Sequence, residues 1–320
     1  MIGSTGITDN ETKLNQVCQY AYENGLYFVT YTHINDKWPQ PQWVDYAKKR
    51  WGSHFLGLYA FDEAGGRQLD RAEYRVVKEN TYNYTDSANK FVSYMNEYLK
   101  HYRDYYIHAG ELPLFTADYG LYWFDYEAGY DVVLCEFGWN HSRLLNIALT
   151  RGAAKMQNKE WGTISTWTYQ DPPYIESADD LYYDMILAYI SGAKYLVVFS
   201  HPMEDSWDQT LTEEHLDSMK RLWNHVHTNP ERLGIYCPTC NQIAYVLPKD
   251  YGWGFRGSED KVWGIWVDEL STKLGKDLNY LVHTHHLSLD IIYDDPKYYN
   301  KFGQYSKLIF WNGTIITNNN

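Results

Sequence analysis

The stretch Asp131-Val-Val-Leu-Cys-Glu-Phe-Gly-Trp-Asn-His-Ser142 decides how this chain is interpreted. Its apolar block, Val132 to Cys135, is typical of a strand buried on both faces of a parallel sheet. Glu136 is the first residue after the block, and ligands of parallel α/β folds bind at the carboxyl ends of strands. The segment therefore predicts an acid, an aromatic ring and an amide around one cleft. The alternative is that Glu136 pairs with a neighbouring Arg or caps the helix beginning near Ser142.

Strand-like and helix-like segments alternate on both sides of this stretch. Residues 26–32, 54–61 and 112–117 are predicted strands before it, and residues 161–168 and 194–199 are predicted strands after it. Between these strands lie segments whose apolar residues recur at helical spacing. Six β/α units are visible by residue 228, where eight would close a barrel. The pattern predicts an α/β chain with a (β/α)8-type TIM barrel over residues 1–232, either N-terminally incomplete or re-closed.

A second pattern begins near residue 241. Three strand-like runs alternate with helices and predict a smaller, flavodoxin-like α/β domain of three layers over residues 241–320. The predicted strands are residues 243–247, 289–293 and 307–311, and the predicted helices lie near 269–282 and 296–302. The glycines and aromatic rings of residues 248–256 indicate a loop folded over the barrel.

Composition narrows the class of ligand. Aromatic residues make up 18% of the chain, chiefly 32 Tyr and 13 Trp, whose rings combine an apolar face with a polar edge. Such rings suit sugar binding, although an aromatic-rich core would give the same count. The formal charge of −13 argues against nucleic acid and anionic membranes as partners. No apolar run reaches the length of about 18 residues that spans a membrane, so no membrane segment is expected.

Cellular location and cysteine chemistry stay open. The N-terminus, Met-Ile-Gly-Ser-Thr-Gly, lacks the regions of a signal peptide. The protein is therefore expected outside the cell if a leader was removed, and in the cytoplasm if none was. Cys18 and Cys135 are interpreted as buried apolar residues. Cys237-Pro-Thr-Cys240 fits a local disulfide, half a zinc site or a turn, and we favour the turn. No cofactor is expected, and oligomerisation through the C-terminal domain is left open.

The architecture resembles a known class of enzymes. A parallel barrel with acids at strand exits, Trp and Tyr beside them and a flavodoxin-like domain behind resembles the TIM-barrel glycoside hydrolases, particularly retaining families with such a domain. The resemblance covers nearly the whole chain as architecture. The Asn-Glu pair common at the fourth strand is absent, and no second Glu closes the strand beginning at Trp161. The resemblance implies hydrolysis of an oligo- or polysaccharide.

Hydrolysis of a glycoside takes two carboxyl groups that flank the bond. The candidates are Asp62, Glu63 and Glu136, which follow strands close enough to share one rim. Glu136 follows an apolar strand, a setting that raises a carboxyl pKa and suits a general acid. Asp62 precedes two glycines and is the candidate nucleophile. Glu63 competes with it because successive residues point in opposite directions, and a salt bridge of either acid with Arg67 is the structural alternative.

The remaining candidate residues would bind the substrate through ring stacking or hydrogen bonds. Core packing alone would also account for each ring taken singly. The predicted stacking walls are Trp139, Trp167, Tyr169 and Tyr174, and the predicted hydrogen-bonding partners are Asn140, His33, Asp118 and Asp171.

Three classes of function remain at this stage. A retaining glycoside hydrolase needs two carboxyl groups about 5–5.5 Å apart. A carbohydrate-binding pseudoenzyme would keep the aromatic walls without a correctly spaced pair. A metal-dependent hydrolase would use ligands such as His33, Asp62 and His201, but no HxH or HExxH spacing supports it at the barrel rim. His283-Thr-His-His286 is interpreted as an exposed helix end rather than a metal site.

Overall fold

The protein is described by a computed structural model, and its architecture is α/β with two main β-sheets. The described residues are 2–4 (backbone only), 11–32, 39–79, 81–106, 112–138, 141–166, 168–169, 174–199, 212–230, 242–257 and 259–318. The first sheet is parallel and the second is mixed.

The first sheet contains seven parallel strands that follow one another in chain order, apart from a small hairpin inserted before the last strand. They are β1 (Ile2–Ser4), β2 (Phe28–Thr32), β3 (Phe55–Ala60), β4 (Leu114–Asp118), β5 (Val132–Phe137), β6 (Glu160–Thr166) and β9 (Tyr195–Phe199). The hairpin consists of β7 (Thr168–Tyr169) and β8 (Tyr174–Ile175), which pair antiparallel.

Helices connect these strands, as the apolar spacing predicted. They are α1 (Glu11–Glu23), α2 (Pro41–Trp51), α3 (Ala64–Asp70), α4 (Tyr84–Tyr106), α5 (Tyr122–Ala128), α6 (Arg143–Gln157), α7 (Ala178–Ile190) and α8 (Glu213–Thr228). Ser142 and Ser177 cap α6 and α7 by accepting hydrogen bonds from the backbone N–H groups of Leu145 and Asp180. Within the described ranges, no helix is both long and apolar enough to span a bilayer.

The closed eight-stranded TIM barrel predicted from the sequence is wrong. The described strands number seven, and no ladder among them joins β1 to β9, although their Cα atoms approach within 8 Å. One face of the sheet packs on helices. On the other face, side chains from different strands, such as Val29, Leu134 and Val197, pack against one another. That face is therefore concave. The sheet is curled, but the described residues contain no strand that would complete an eight-stranded closure.

The second sheet is mixed, which corrects the prediction of a flavodoxin-like domain, since the sheet of that fold is parallel. Its order is β11 (Leu289–Tyr293), β10 (Ile243–Leu247), β12 (Lys307–Phe310) and β13 (Ile315–Thr317). β10 lies parallel to both neighbours, whereas β13 turns back antiparallel on β12. A short turn can reverse the chain in this way only between antiparallel strands. Helix α9 (Glu269–His285) and a 3-10 helix, Pro296–Gln304, lie between the strands in sequence.

Helix α6 joins the two sheets. A Cβ added at Gly152 would lie 2.3 Å from the Ile291 carbonyl oxygen, so only glycine allows this approach to β11. One residue earlier, Arg151 Nε donates to Asp290 Oδ1 at 2.7 Å, with both side chains buried. A single hydrophobic cluster includes residues of both sheets. The division into domains 1–232 and 241–320 stays a prediction.

Candidate active site

Glu136 lies on the concave face of the first sheet, near the carboxyl end of β5. Val132 and Leu134 belong to the cluster on that face, and side chains alternate along a strand, so Glu136 points the same way. The sequence predicted Glu136 just beyond the strand, but it is the last residue but one of β5 and is only 7% exposed. Its backbone carbonyl accepts a hydrogen bond from Asn146 Nδ2 at 3.1 Å.

Glu136 takes neither of the structural roles considered as alternatives. The neighbouring arginine, Arg143, pairs instead with Asp184 at 3.0 Å and with Glu176 at 3.5 Å. Ser142, and not Glu136, caps α6. Over the described ranges, no Lys or Arg forms an ion pair with Glu136. Its carboxyl group is therefore buried without a compensating cation from the described part of the chain.

A strained loop brings Glu63 to the same place. Phe61 and Glu63 both have left-handed backbone conformations, with φ of 48° and 55°, which are uncommon for residues other than glycine. Strand β4 holds the loop: the Glu63 N–H donates to the Ala117 carbonyl at 3.0 Å, and the Thr116 hydroxyl donates to the Phe61 carbonyl at 2.7 Å. Such strain persists only where surrounding contacts enforce it, and it clusters at functional sites.

The side chains of Glu63 and Glu136 are hydrogen-bonded to each other. Burial, followed by the charges of Glu63 and Asp62, raises the pKa of Glu136 well above its usual range. Burial and the Asp62 charge also raise the pKa of Glu63, but Arg67 and Arg71 oppose that rise. Two carboxyl groups can share a hydrogen bond only if one is protonated. We assign the proton to Glu136, which donates to the Glu63 carboxylate.

Asp62 lies beside this pair but is held by other groups. The Tyr59 hydroxyl donates to Asp62 Oδ1 and accepts a hydrogen bond from the Ala117 N–H at 2.9 Å. Arg67 Nη2 lies 4.0 Å from Asp62 Oδ2, the outer limit of a salt bridge. Burial raises the pKa of Asp62, and the Tyr59 hydrogen bond only partly offsets the rise. The Arg67 contact considered as the alternative is present, but Tyr59 is the stronger partner.

Asp118 binds the protein itself. Its buried carboxylate accepts four backbone hydrogen bonds, from Gly65 at 2.6 Å, Gly66 at 2.8 Å, Tyr119 at 2.7 Å and Gly120 at 3.1 Å. It fixes the first turn of α3, which begins one residue after Glu63. Burial raises the pKa of Asp118 to about 7 in spite of these donors. The predicted contact of Asp118 with substrate gains no support from this placement.

Sequence reasoning missed two buried groups beside these acids. Both carboxyl oxygens of Asp125 are buried without a hydrogen-bond partner among the described residues. Burial and the Asp118 charge raise the pKa of Asp125 well above its usual range, which favours its neutral form. Tyr59 was missed although alternation along β3 could have placed it on the concave face.

Most of the predicted substrate-binding residues lie outside the described residues. Tyr169 and Tyr174 are backbone partners in the β7–β8 ladder, which follows β6 in sequence. The structure thus brings together Glu136, Glu63 and Asp62, and leaves the walls as predictions. The predicted residues that lie outside the described residues are His33, Trp139, Asn140, Trp167, Asp171 and His201.

A cavity of about 530 Å³ lies between the start of α6, the loop after β10 and α9, a volume in the usual range for ligand pockets. Trp253 and Phe255 contribute apolar surface, and Lys276 and His283 contribute basic groups. None of the three acids lines this cavity. His283 Nδ1 contacts the Asn279 carbonyl at 2.7 Å within α9. Considering only the described residues, no three His, Cys, Asp or Glu side chains are arranged to hold a metal ion.

Comparison with known proteins adds no assignment. No protein-family model matches the chain, and no curated protein sequence matches it significantly. The resemblance to glycoside hydrolases therefore stays a prediction, and the closed barrel that it implied is wrong. Any inference about function has to come from the geometry of the acid cluster.

Proposed function

We propose that the protein is a retaining glycoside hydrolase that acts on an oligo- or polysaccharide. The observation that carries the proposal is the hydrogen-bonded pair of Glu63 and Glu136 on the concave face of a curled parallel sheet. Enzymes built on parallel barrels have their catalytic groups at this end of the strands. Glycosidases need one protonated and one ionised carboxyl group there.

The two carboxyl groups have different roles. Glu136 is the general acid, since burial raises its pKa well above the ordinary value and so favours the protonated form, and it transfers that proton to the leaving oxygen. Glu63 is the nucleophile, and its carboxylate forms the covalent bond to the anomeric carbon as the glycosidic bond breaks. Water then cleaves the glycosyl ester and returns a proton to Glu136. Glu63 replaces Asp62 in this role because Glu63, and not Asp62, is hydrogen-bonded to Glu136.

Spacing favours retention over inversion. An inverting enzyme keeps its carboxyl groups about 6.5–9.5 Å apart to admit a water molecule, whereas a retaining enzyme needs about 5–5.5 Å. Glu63 and Glu136 lie close enough for their side chains to interact directly, which supports the shorter, retaining separation. Entry of the sugar would separate the groups slightly and break the hydrogen bond between them.

Asp62 supports the pair electrostatically. Its charge is among the causes that raise the pKa of Glu136 and of Glu63. Tyr59 keeps Asp62 in place through a hydrogen bond. The negative charge of Asp62 also favours the positive charge that develops on the sugar ring in the transition state. Asp62 therefore keeps Glu136 protonated and stabilises the transition state without forming a covalent bond.

The test is Glu136→Gln, assayed on aryl glycosides with poor and with activated leaving groups. Because Gln cannot deliver a proton, we expect hydrolysis of the poor substrates to fall by about two to four orders of magnitude. Activated substrates should lose less. The matched control is Glu160→Gln, which alters an exposed acid paired with Lys194 at the opposite end of β6. The control should keep full activity.

A label identifies the nucleophile. An activated 2-deoxy-2-fluoroglycoside should leave a stable sugar ester on Glu63, located by mass spectrometry of peptides. An ester on Asp62 would exchange the roles of the two acids. Equal activity of Glu136→Gln and wild type would refute the proposal. Sugar binding without hydrolysis of any aryl glycoside would indicate the carbohydrate-binding pseudoenzyme instead.

A further inference from the structure

The connection that follows β10 of the second sheet lies directly on α3, the helix that begins beside Glu63. We call residues 250–257 and 259–266, between β10 and α9, the strap. Its Arg256 holds the last residue of α3: Nη1 donates to Asp70 Oδ2 at 2.6 Å and Nη2 donates to Asp70 Oδ1 at 2.9 Å. The same guanidinium group binds Asp260 within the strap at 2.7 and 3.1 Å. Bidentate pairs of this kind fix orientation as well as distance.

Two further contacts fasten the strap to α3. Gln68 Nε2 donates to the Trp263 carbonyl at 2.9 Å, and the Gln68 side chain is 1% exposed. Gly264 has a φ of +72°, and a Cβ there would lie 2.5 Å from the carbonyl oxygens of both Gln68 and Leu69. The strap backbone therefore touches the helix backbone at a position that only glycine can occupy.

The other end of α3 is fixed by Asp118, which binds the Gly65 and Gly66 N–H groups. Arg256 also lies over the Tyr119 ring, 5.5 Å from its centroid, and that ring fills the space in which a Cβ of Gly66 would lie. Because α3 has only seven residues, a shift at Asp70 is transmitted to Glu63 within two helical turns.

We propose that Arg256 is a positioning residue for the acid pair: by tying the strap to Asp70, it fixes α3 so that Glu63 meets Glu136. The inference rests on the proposed function for the role of Glu63. It makes the strap a part of the active site, although the strap belongs to the segment that follows the curled sheet in sequence. A misplacement of about 1 Å at a reacting group can cost two orders of magnitude in rate.

The experiment compares Asp70→Asn with Asp179→Asn in the full chain. Both remove an aspartate that pairs with an arginine, but Asp179 pairs with Arg221 at 2.9 Å on the exposed surface of α7 and α8. Infrared spectroscopy follows the titration of protonated carboxyl groups, with Glu136→Gln identifying the band of the pair. We expect Asp70→Asn to shift the titration midpoint of that band and to lower kcat about ten- to hundredfold, with little change in KM. Asp179→Asn should change neither.

The infrared readout separates an effect on positioning from an effect on stability. It also separates a failure of this inference from a failure of the proposed function. If Asp70→Asn lowers Tm but leaves the titration midpoint and kcat unchanged, Arg256 is merely structural and the inference fails. If the wild type hydrolyses no glycoside, the proposed function fails while the shifted midpoint still supports positioning. If Asp70→Asn does not fold, Arg256→Lys replaces it. Lys keeps the charge but cannot form the bidentate pair, and an unshifted midpoint in that variant would overturn the inference.

Discussion

Asp131 and Glu136 stand at opposite ends of β5 and have opposite surroundings. Asp131 accepts hydrogen bonds from Arg103 and Lys159, both at 2.8 Å, and from the Leu114 N–H at 3.0 Å. Burial alone would raise the pKa of Asp131, but the bonds from Lys159 and Arg103 outweigh it and hold the pKa below its ordinary value. At the amino end of the strand, the acid is paired and stabilises the sheet.

Among the described residues, no cation balances the burial of Glu136. Its neighbours are Glu63, Asp62 and Asp118, and the pKa of Glu136 rises through burial and through their charges. A fold gains no stability from acids gathered in this way, so the arrangement points to function. The difference between the two ends of β5 matches the division in parallel barrels, where the amino end serves stability and the carboxyl end serves chemistry.

The largest loss of stability is expected where a fully buried acid loses the cation that pairs with it, and Asp290 is such an acid. Asp290 is fully buried and pairs with Arg151 at 2.7 Å. Arg151→Met would leave that charge without its main partner, and we expect a loss of about 3 to 5 kcal/mol in the free energy of unfolding. Urea denaturation measures it. Arg221→Met, at an exposed pair, is the control and should cost far less. Equal losses in both variants would remove the distinction between buried and exposed pairs.

A smaller effect is expected at Asp131. Asp131→Asn keeps the shape but loses two charged hydrogen bonds, which should lower the free energy of unfolding by about 1 to 2 kcal/mol at neutral pH. Because the folded pKa lies below the ordinary value of 3.8, the stabilisation is present above pH 3.8 and is lost as the pH falls through the folded pKa. Wild type and variant should therefore converge in acid. A gap that persists at low pH would show that charge is not the cause.

Much of this contrast could be predicted from the sequence. The apolar run before Glu136 fixed the strand, and its lack of polar residues predicted a raised pKa for the acid. The order of β and α segments predicted consecutive parallel strands. The role of Glu63 could not be predicted, because it depends on the left-handed backbone at Phe61 and Glu63, which contacts with distant residues such as Ala117 and Thr116 enforce.

Contacts between distant segments account for the other differences. The four backbone bonds to Asp118 come partly from glycines more than 50 residues earlier in the chain, so its burial had no local signal. The three-residue strands β1 and β13 are too short to form an alternating pattern. Curvature and closure depend on strand number and tilt, which hydrophobic periodicity does not encode.

The central claim is that Glu136 is protonated at neutral pH and hydrogen-bonded to an ionised Glu63. The most direct measurement is the infrared difference spectrum of wild type minus Glu136→Gln at pH 7. Since burial raises the pKa of Glu136, the proton should be present at pH 7 and lost only as the pH rises further. We predict a carbonyl band of a protonated carboxyl group at pH 7 that Glu136→Gln abolishes and Glu160→Gln retains. A spectrum in which Glu136→Gln removes only carboxylate bands would contradict the account.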